Sequence, residues 1–289
     1  MKHAEPPKIA LTIDVEDLYC VDFKGCMSGI LSFLNRRHMP TTMFFLGTTA
    51  SEHPEVLEEA HTSGHEIGCH GLDHLPAATS DPKEFEAKVK KSKETLEKNI
   101  HHSIAGFRSP DFSLPRWLLP QLKGLGFEYD SSVYPCLPIM SWYGLWKAPI
   151  YPYHPNLRNP EETDEAEKFL EFPLAVMPDV RLPAGGGWWL RNLGTTYSLL
   201  SLSRLLKKGP AVLYFHPWEF TENLNLNIEK KYFGGAFRPP LMFGRTGTYL
   251  FRLIDRIREE FSPDFVTIKQ LMDSMTKQPL HSYALEATS

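Results

Sequence analysis

The 289-residue chain has no apolar run of membrane-spanning length, few cysteines and no block of like charge. Each absence removes a class of function. Its hydrophobic stretches are interrupted well before the roughly 20 residues a spanning helix needs. The four cysteines, Cys20, Cys26, Cys69 and Cys136, form no Cys-x-x-Cys pair. Their spacing gives neither a zinc ribbon nor a disulfide framework, so reduced thiols are the expectation. A net charge of -4 and the lack of a Lys/Arg-rich run argue against a nucleic-acid partner. Lys83 to Lys98 is charged but mixed in sign, as on the wet face of a helix. Met1 to Pro7 is polar and lacks the apolar core of a signal peptide, so the cytoplasm is the expected compartment. No internal repeat or composition break divides the chain. One domain over 1–289 is expected, with an irregular Pro-, Tyr- and Trp-rich insertion near 133–167 and a loose tail after Lys277.

The first half alternates short strand-like runs with helical periodicity. Strands are predicted at Lys8–Ile13, Thr41–Leu46, Glu66–His70, Ile104–Phe107 and Phe127–Asp130. Helices are predicted at Met27–His38, Pro54–Thr62, Glu84–Ile100 and Pro115–Leu125. Beyond the insertion, Glu171–Val176, Ala211–Phe215 and Phe265–Ile268 read as strands, and Thr195–Lys207 and Thr248–Phe261 as helices. This rhythm implies an α/β fold of mostly parallel strands surrounded by helices. Asp14, His70, Arg108, Asp130 and His216 each fall at or just past the C-terminal end of a predicted strand. In a barrel of parallel strands, that rim is where active sites assemble.

The polar residues at those strand ends suit metal-assisted hydrolysis. His70 and His74, four apart, can aim two imidazoles at one divalent ion, and a carboxylate would complete a three-ligand site with open positions. In Asp14-Val15-Glu16-Asp17, residues two apart on an extended chain point to the same side. Asp14 and Glu16 can share one pocket, one as base and one as ligand. Two close carboxylates need a cation or a shared proton to offset their repulsion. Arg108 can hold Asp14 through its planar guanidinium. His216, ending the apolar run AVLYF, can donate a proton to a leaving amine, with Glu219 or Asp130 orienting it. Gly185-Gly186-Gly187-Trp188-Trp189 lacks the spacing of a dinucleotide loop. Core packing and sugar stacking both remain open for it.

In order along the chain, these residues resemble the motifs of the NodB-type polysaccharide deacetylases, carbohydrate esterase family four. Thr12-Ile13-Asp14-Val15-Glu16 matches the first motif, and His70-Gly71-Leu72-Asp73-His74 the second. Arg108-Ser109-Pro110 matches the third, Asp130-Ser131-Ser132 the fourth and Leu213-Tyr214-Phe215-His216 the fifth. The resemblance implies a distorted (β/α) barrel and a divalent metal, zinc first, with cobalt, nickel or iron as alternatives. It implies Asp14 as base, His70 and His74 as metal ligands, Arg108 steering Asp14, and His216 as general acid. Asp130, Pro110 and Trp218 are its expected substrate contacts. Val15 stands where the family has its second carboxylate, so Glu16 or Asp17 must ligate; the same-side argument favours Glu16. Gly71 replaces the family's Ser/Thr. The Asp-Val-Glu-Asp and Phe-His-Pro-Trp-Glu variants resemble the branch linked to exopolysaccharide biosynthesis.

The implied activity is removal of an N-acetyl group from an amino sugar in a polysaccharide, peptidoglycan or lipid-linked glycan. Two alternatives stand beside it: an allantoinase-like cyclic-amide hydrolase and a non-catalytic glycan-binding barrel. The partner expected is a carbohydrate. The aromatic insertion Trp142 to Tyr153, with Trp188 and Trp189, raises the further expectation of peripheral membrane contact, and an oligomer is allowed.

Overall fold

Eight parallel strands curl into one sheet, and helices cover its outer face. The computed structural model describes residues 5–138, 144–225 and 244–275; Trp142 and the tail after Lys277 lie outside them. In chain order the first half comprises β1 (Lys8–Val15), α1 (Phe23–Arg36), β2 (Thr42–Phe45), α2 (Gly47–Glu52), α3 (Pro54–Thr62), β3 (Glu66–Cys69), α4 (Pro82–Ile100), β4 (Gly106–Phe107), α5 (Leu118–Gly124) and β5 (Tyr129–Asp130). The second half adds β6 (Pro155–Asn156), β7 (Asn159–Thr163), β8 (Leu170–Glu171), β9 (Val176–Met177), β10 (Leu182–Pro183), α6 (Gly187–Leu205), β11 (Ala211–Phe215), α7 (Thr248–Phe261), β12 (Asp264–Val266) and α8 (Ile268–Met275).

The spatial order is β11-β1-β2-β3-β4-β5-β8, and β12 pairs with the first residues of β1. The gap between β8 and β11 is bridged irregularly. Ala175 N–H donates to the Val212 carbonyl (3.0 Å), and Tyr214 N–H donates to that of Gly185 (2.7 Å). The result is a distorted (β/α) barrel of mostly parallel strands.

Strand β1 sets the layout. It lies between β11 and β2, and Ile9 to Val15 are all buried. Alternation sends Ile9, Leu11 and Ile13 outward to the helices and Ala10 to the barrel interior. Thr12, Asp14 and Glu16 follow Ala10 in parity and climb the inner wall toward the strand ends. Phe44, Val212 and Tyr214 share that interior cluster. At the opposite end α8 acts as a stopper: Ile268, Leu271, Met272 and Met275 pack into the interior cluster. Its first N–H groups are satisfied by the Thr42 hydroxyl (2.8 Å, from Ile268) and Glu66 (3.0 Å, from Lys269). One mouth of the barrel is closed by apolar packing and the other carries the polar residues.

Helix starts follow their caps. Asp22 accepts from Gly25 N–H at 2.9 Å and starts α1 four residues before the predicted Met27. Asp81 accepts from Lys83 and Glu84 and starts α4 at Pro82. The periodicity missed α2, whose Gly-Thr-Thr start has weak helix propensity. It also missed α8 and placed α6 from Thr195. Gly194 (φ 84°, ψ 171°) breaks α6, so the apolar period restarts there and the Gly187–Leu193 portion went unread. Only Glu171 of the predicted strand Glu171–Val176 is in β8. The stretch 133–167 contains the small antiparallel pair β6–β7. Among the described residues, no helix is long and apolar enough to cross a membrane.

Candidate active site

The inner face of β1 meets Arg108, one residue past β4, in a fully buried ion pair. Arg108 Nη1 lies 2.8 Å from Asp14 Oδ1 and also donates to the Thr12 hydroxyl (2.6 Å). Its Nε donates to the Ser131 carbonyl and its Nη2 to the Ser131 hydroxyl, each at 2.8 Å. The guanidinium sits over the Phe44 ring, 4.4 Å from its centroid. Every edge of the fork is therefore occupied, which fixes the Asp14 carboxylate against β1. Thr12 passes its own proton to the Leu213 carbonyl on β11 (2.8 Å).

Two residues farther up β1, Glu16 collects the histidines. His70 Nε2 lies 3.2 Å and His74 Nε2 3.0 Å from Glu16 Oε1, and all three ligand atoms fall within 4.8 Å of one another. His70 Nδ1–H donates to the Arg108 carbonyl at 2.8 Å. A carbonyl only accepts, so Nδ1 carries a proton, and Nε2 is the nitrogen turned to Glu16. Arg108 thus supports both halves of the site, Asp14 through its guanidinium and His70 through its backbone. Burial opposes the charge on Glu16, but His74, His70 and His216 outweigh it and hold the carboxyl well below its usual range. His74 shows the complement: burial lowers it, yet Glu16, Asp111 and Asp14 raise it to about 9. One carboxylate oxygen and two imidazole nitrogens at this spacing are the donor set of a divalent-metal site, so the residues present fit the implied ion. Metal ligation requires neutral His74, so binding is coupled to loss of that proton.

His216 stands at the end of β11 with its Nε2 4.0 Å from Glu16 Oε1. Its Nδ1 faces Glu219 Oε2 at 3.3 Å, and its backbone N–H donates to the same oxygen at 2.9 Å. Burial works against protonation, but the Glu219 hydrogen bond, Glu16 and Asp14 raise His216 to about 9. Glu219 is held in turn by fully buried Arg191, through Nε (3.0 Å) and Nη2 (2.9 Å) to Oε1. Trp218 stacks on the His216 ring (5.7 Å, 22°).

This contact explains the triple glycine. A Cβ on Gly187 would lie 2.4 Å from Glu219 Oε2, and one on Gly186 2.5 Å from the Tyr214 ring. A Cβ on Gly185 would lie 2.8 Å from Ala175 N. The segment is bare so that α6 can start against β11 and the turn holding His216. Trp188 and Trp189 form an edge-on pair (4.6 Å, 82°) at the start of α6, and Trp189 packs partly on the barrel's interior cluster.

Several expected site residues lie below the surface of the mouth. Asp130, expected to meet the substrate or to orient His216, is one of them. It is fully buried, accepts from Ser132 N–H (3.1 Å) and Oγ (2.7 Å), and lies beside the buried carboxyl of Glu171, its neighbour across β5 and β8. Burial pushes both carboxyls up, Asp130 to about 6, and the neighbouring Asp130 raises Glu171 further. Trp218 is 5% exposed and backs His216; it has little surface to offer a sugar. Pro110 is buried against Gly71, where a Cβ would lie 3.6 Å from its ring, and supports the loop that carries His70. Asp17 turns away from Glu16, accepts from the Thr49 hydroxyl (3.3 Å) and sits with Glu52 and His53. Arg191 and Ser131 were given no role from the sequence. Arg191 leaves only the trace of a lone cation in the apolar run GWWLRNL.

Sequence comparison matches residues 2–129 to the polysaccharide deacetylase family and residues 131–272 to a domain of unknown function, DUF3473. Both matched segments contribute strands to the one sheet, through β1 to β5 and through β8, β11 and β12. A curated relative, the peptidoglycan-N-acetylglucosamine deacetylase of Bacillus cereus, is 28% identical over 99 residues, covering 34% of this chain. The chain matches less than half of that relative's length, 46%. Among solved structures, a Mycobacterium smegmatis protein described as a polysaccharide deacetylase aligns with a TM-score of 0.60 at 18% identity, covering 95% of this chain and 94% of that one. An allantoinase aligns with a TM-score of 0.59 at 13% identity, covering 94% and 91%. These structures share the fold, and fold alone does not choose among their chemistries. The family match and the five ordered motifs agree on this barrel: residues 2–129 belong to the polysaccharide deacetylases, the NodB type of carbohydrate esterase family four.

Proposed function

We propose that the protein hydrolyses the N-acetyl group of an amino sugar within a glycan. One observation carries this reading: three imidazoles, those of His70, His74 and His216, converge on Glu16 Oε1 at one mouth of the barrel, and Arg108 pairs with the Asp14 carboxylate two residues away on the same wall. Glu16, His70 and His74 would hold a divalent ion, zinc first among zinc, cobalt, nickel and iron. Such an ion supplies Lewis-acid polarisation of an acyl oxygen and lowers the pKa of water toward roughly 7.

The chain's own residues do the rest. Asp14, paired with and aimed by Arg108, takes the proton of the attacking water. His216, kept protonated near neutral pH by Glu219 and Glu16, gives a proton to the departing nitrogen. That transfer is worth on the order of 10²–10⁴ in rate. The two groups have separate supports, so base and acid are poised at the same time.

The relative that acts on peptidoglycan N-acetylglucosamine and the match to the polysaccharide deacetylase family support a glycan substrate. The Asp-Val-Glu-Asp and Phe-His-Pro-Trp-Glu variants support an exopolysaccharide among the glycans. The test is acetate release from N-acetylated oligosaccharides and peptidoglycan fragments by metal-reconstituted protein, beside Asp14→Asn and His70→Ala. Acetate from wild type alone supports the reading, and turnover by Asp14→Asn refutes the role of the base. The allantoinase-like fold favours a second reading, hydrolysis of a cyclic amide, whose product is ring-opened and contains no acetate.

A further inference from the structure

We propose that one face of the second matched segment rests on an anionic membrane surface. Eight large apolar side chains are exposed among the described residues, and scattered singly such residues would mean little. Five of the eight, Leu137, Trp146, Val180, Leu182 and Leu200, lie on parts of the chain that touch one another, and each is 42–48% exposed. Gathering of that kind marks a contact surface.

Polar bonds hold the five together. Val180 and Leu182 flank Arg181 in the β9–β10 hairpin. Leu137 N–H donates to the Arg181 carbonyl (3.2 Å), and the Arg181 guanidinium donates to the carbonyls of Pro135 (3.2 Å) and Ala148 (2.7 Å). That last bond brings in the turn of Trp146, because Ala148 N–H donates to the Leu145 carbonyl (2.9 Å). Helix α6 lies along the same hairpin. The Tyr197 hydroxyl donates to the Pro183 carbonyl (2.9 Å), and Arg204 pairs with Asp179. Leu200 stands between Tyr197 and Arg204 on that helical face, three residues after one and four before the other. None of these side chains takes part in the site around Glu16.

The charge around the patch chooses its occupant. Four cations accompany it: Lys147, with its ammonium 5.8 Å from the Trp146 ring centroid, Arg181, Arg204, and Lys207 three residues past Arg204. Two carboxylates stand among them. Asp179 is taken up by Arg204, and Glu161 Oε1 accepts from the Lys147 backbone N–H (3.1 Å). The surplus is positive, so a second copy docked patch to patch would set like charges together. Anionic headgroups complement it. The Trp146 ring and the aliphatic side chains can enter the headgroup level while the Lys and Arg heads reach the phosphates.

The test uses the full chain and needs no substrate. The protein is co-sedimented with vesicles of phosphatidylcholine alone and with vesicles of an equimolar mixture of phosphatidylcholine and phosphatidylglycerol. Binding is expected to the mixed vesicles and should weaken as salt is raised. The double variant Val180→Ser, Leu182→Ser should lower the partition at least about tenfold, because two apolar side chains leave the interface. Lys147→Ala should lower it about fivefold, the share of one cation near a charged surface. Val21→Ser, at an exposed apolar residue in the loop after β1, should leave it unchanged. Hydrogen exchange of the peptide Val176–Pro183 should slow on the mixed vesicles. No sedimentation with the mixed vesicles, or equal partition of the double variant and wild type, would overturn the proposal. A dimer in light scattering that the double variant dissociates would assign the patch to a second copy and overturn it as well.

Discussion

A double-mutant cycle on Arg108 and Asp14 tests the core of the site without reference to turnover. Arg108 is fully buried and makes four hydrogen bonds, one of them to Asp14 at 2.8 Å. Arg108→Met replaces the fork with an apolar chain that can lie between the Phe44 and Tyr214 rings, which flank the guanidinium at 4.4 and 5.9 Å. It leaves Asp14 buried without its cation, a cost of about 3–5 kcal/mol. Asp14→Asn removes the charge but leaves Arg108 its bonds to Thr12 and Ser131, so it costs about 1–3 kcal/mol. The double variant has no stranded carboxylate, and its cost should fall short of the sum by about 1–3 kcal/mol. Urea unfolding at constant m-value measures all three, within a total stability of about 5–15 kcal/mol. Additivity within about 0.5 kcal/mol would show that the two residues do not act as a pair and would refute the reasoning.

Three further outcomes follow from the same geometry. Glu16→Gln and His70→Ala should each abolish stoichiometric binding of zinc or cobalt while His53→Ala retains it; equal loss from all three would show that the Asp17–Glu52–His53 group contributes to the measured ion. Gly187→Ala puts a Cβ 2.4 Å from the Glu219 carboxylate, so it should lower kcat at least about tenfold, cost about 1–3 kcal/mol of stability and leave metal content intact; wild-type kcat would show that Glu219 does not need that gap. Folding raises the Asp130 and Glu171 carboxyls, Asp130 to about 6, so the protonated pair's contribution is complete below the unfolded carboxyl range and is lost as pH rises through about 6. Glu171→Gln, which copies the protonated partner, should flatten the stability profile between about pH 4 and 6.5, and a slope as steep as wild type would place the titrating proton elsewhere.

What could be read from the sequence depended on how local the signal was. Strand parity brought Asp14 and Glu16 to one wall because alternation is fixed by the backbone, and it separated Glu16 from Asp17 correctly in space. The histidine spacing and the apolar run before His216 were legible for the same reason. The supports were not. Arg191 reaches Glu219 across 28 residues, and Ser131 reaches Arg108 across 23, by contacts that leave no period in the chain. Burial also places three expected substrate contacts below the surface. Asp130, Pro110 and Trp218 belong to family-like motifs, yet each lies beneath the residue that meets the mouth: Asp130 under Ser132, Pro110 against Gly71, Trp218 behind His216. A motif marks what must be retained, and it does not distinguish a contact from its foundation. Helices failed where glycine intervened, at Gly47 and Gly194, because propensity speaks against helix there and tertiary packing decides.

The second matched segment, whose family description assigns it no function, has a physical reason to accompany the first. Strand β1 carries Asp14 and leads directly into Glu16, and a strand buried on both faces needs hydrogen-bonding partners on both edges. On one edge β2 comes from the first segment. On the other, β11 pairs from Ile9↔Ala211 to Ile13↔Phe215 and comes from the second. That register puts His216 one residue beyond the level of Ile13, beside Asp14. His216, the proposed acid, is thereby set at the level of Asp14, the proposed base, by five backbone pairings. The remaining features of the segment serve that placement. The three glycines let α6 approach β11, Arg191 on α6 then grips Glu219, and Glu219 grips both the ring and the backbone of His216. The irregular closure through Ala175 and Gly185 is the geometric result: a regular strand with side chains there would push α6 off β11 and break the chain of contacts that ends at the imidazole.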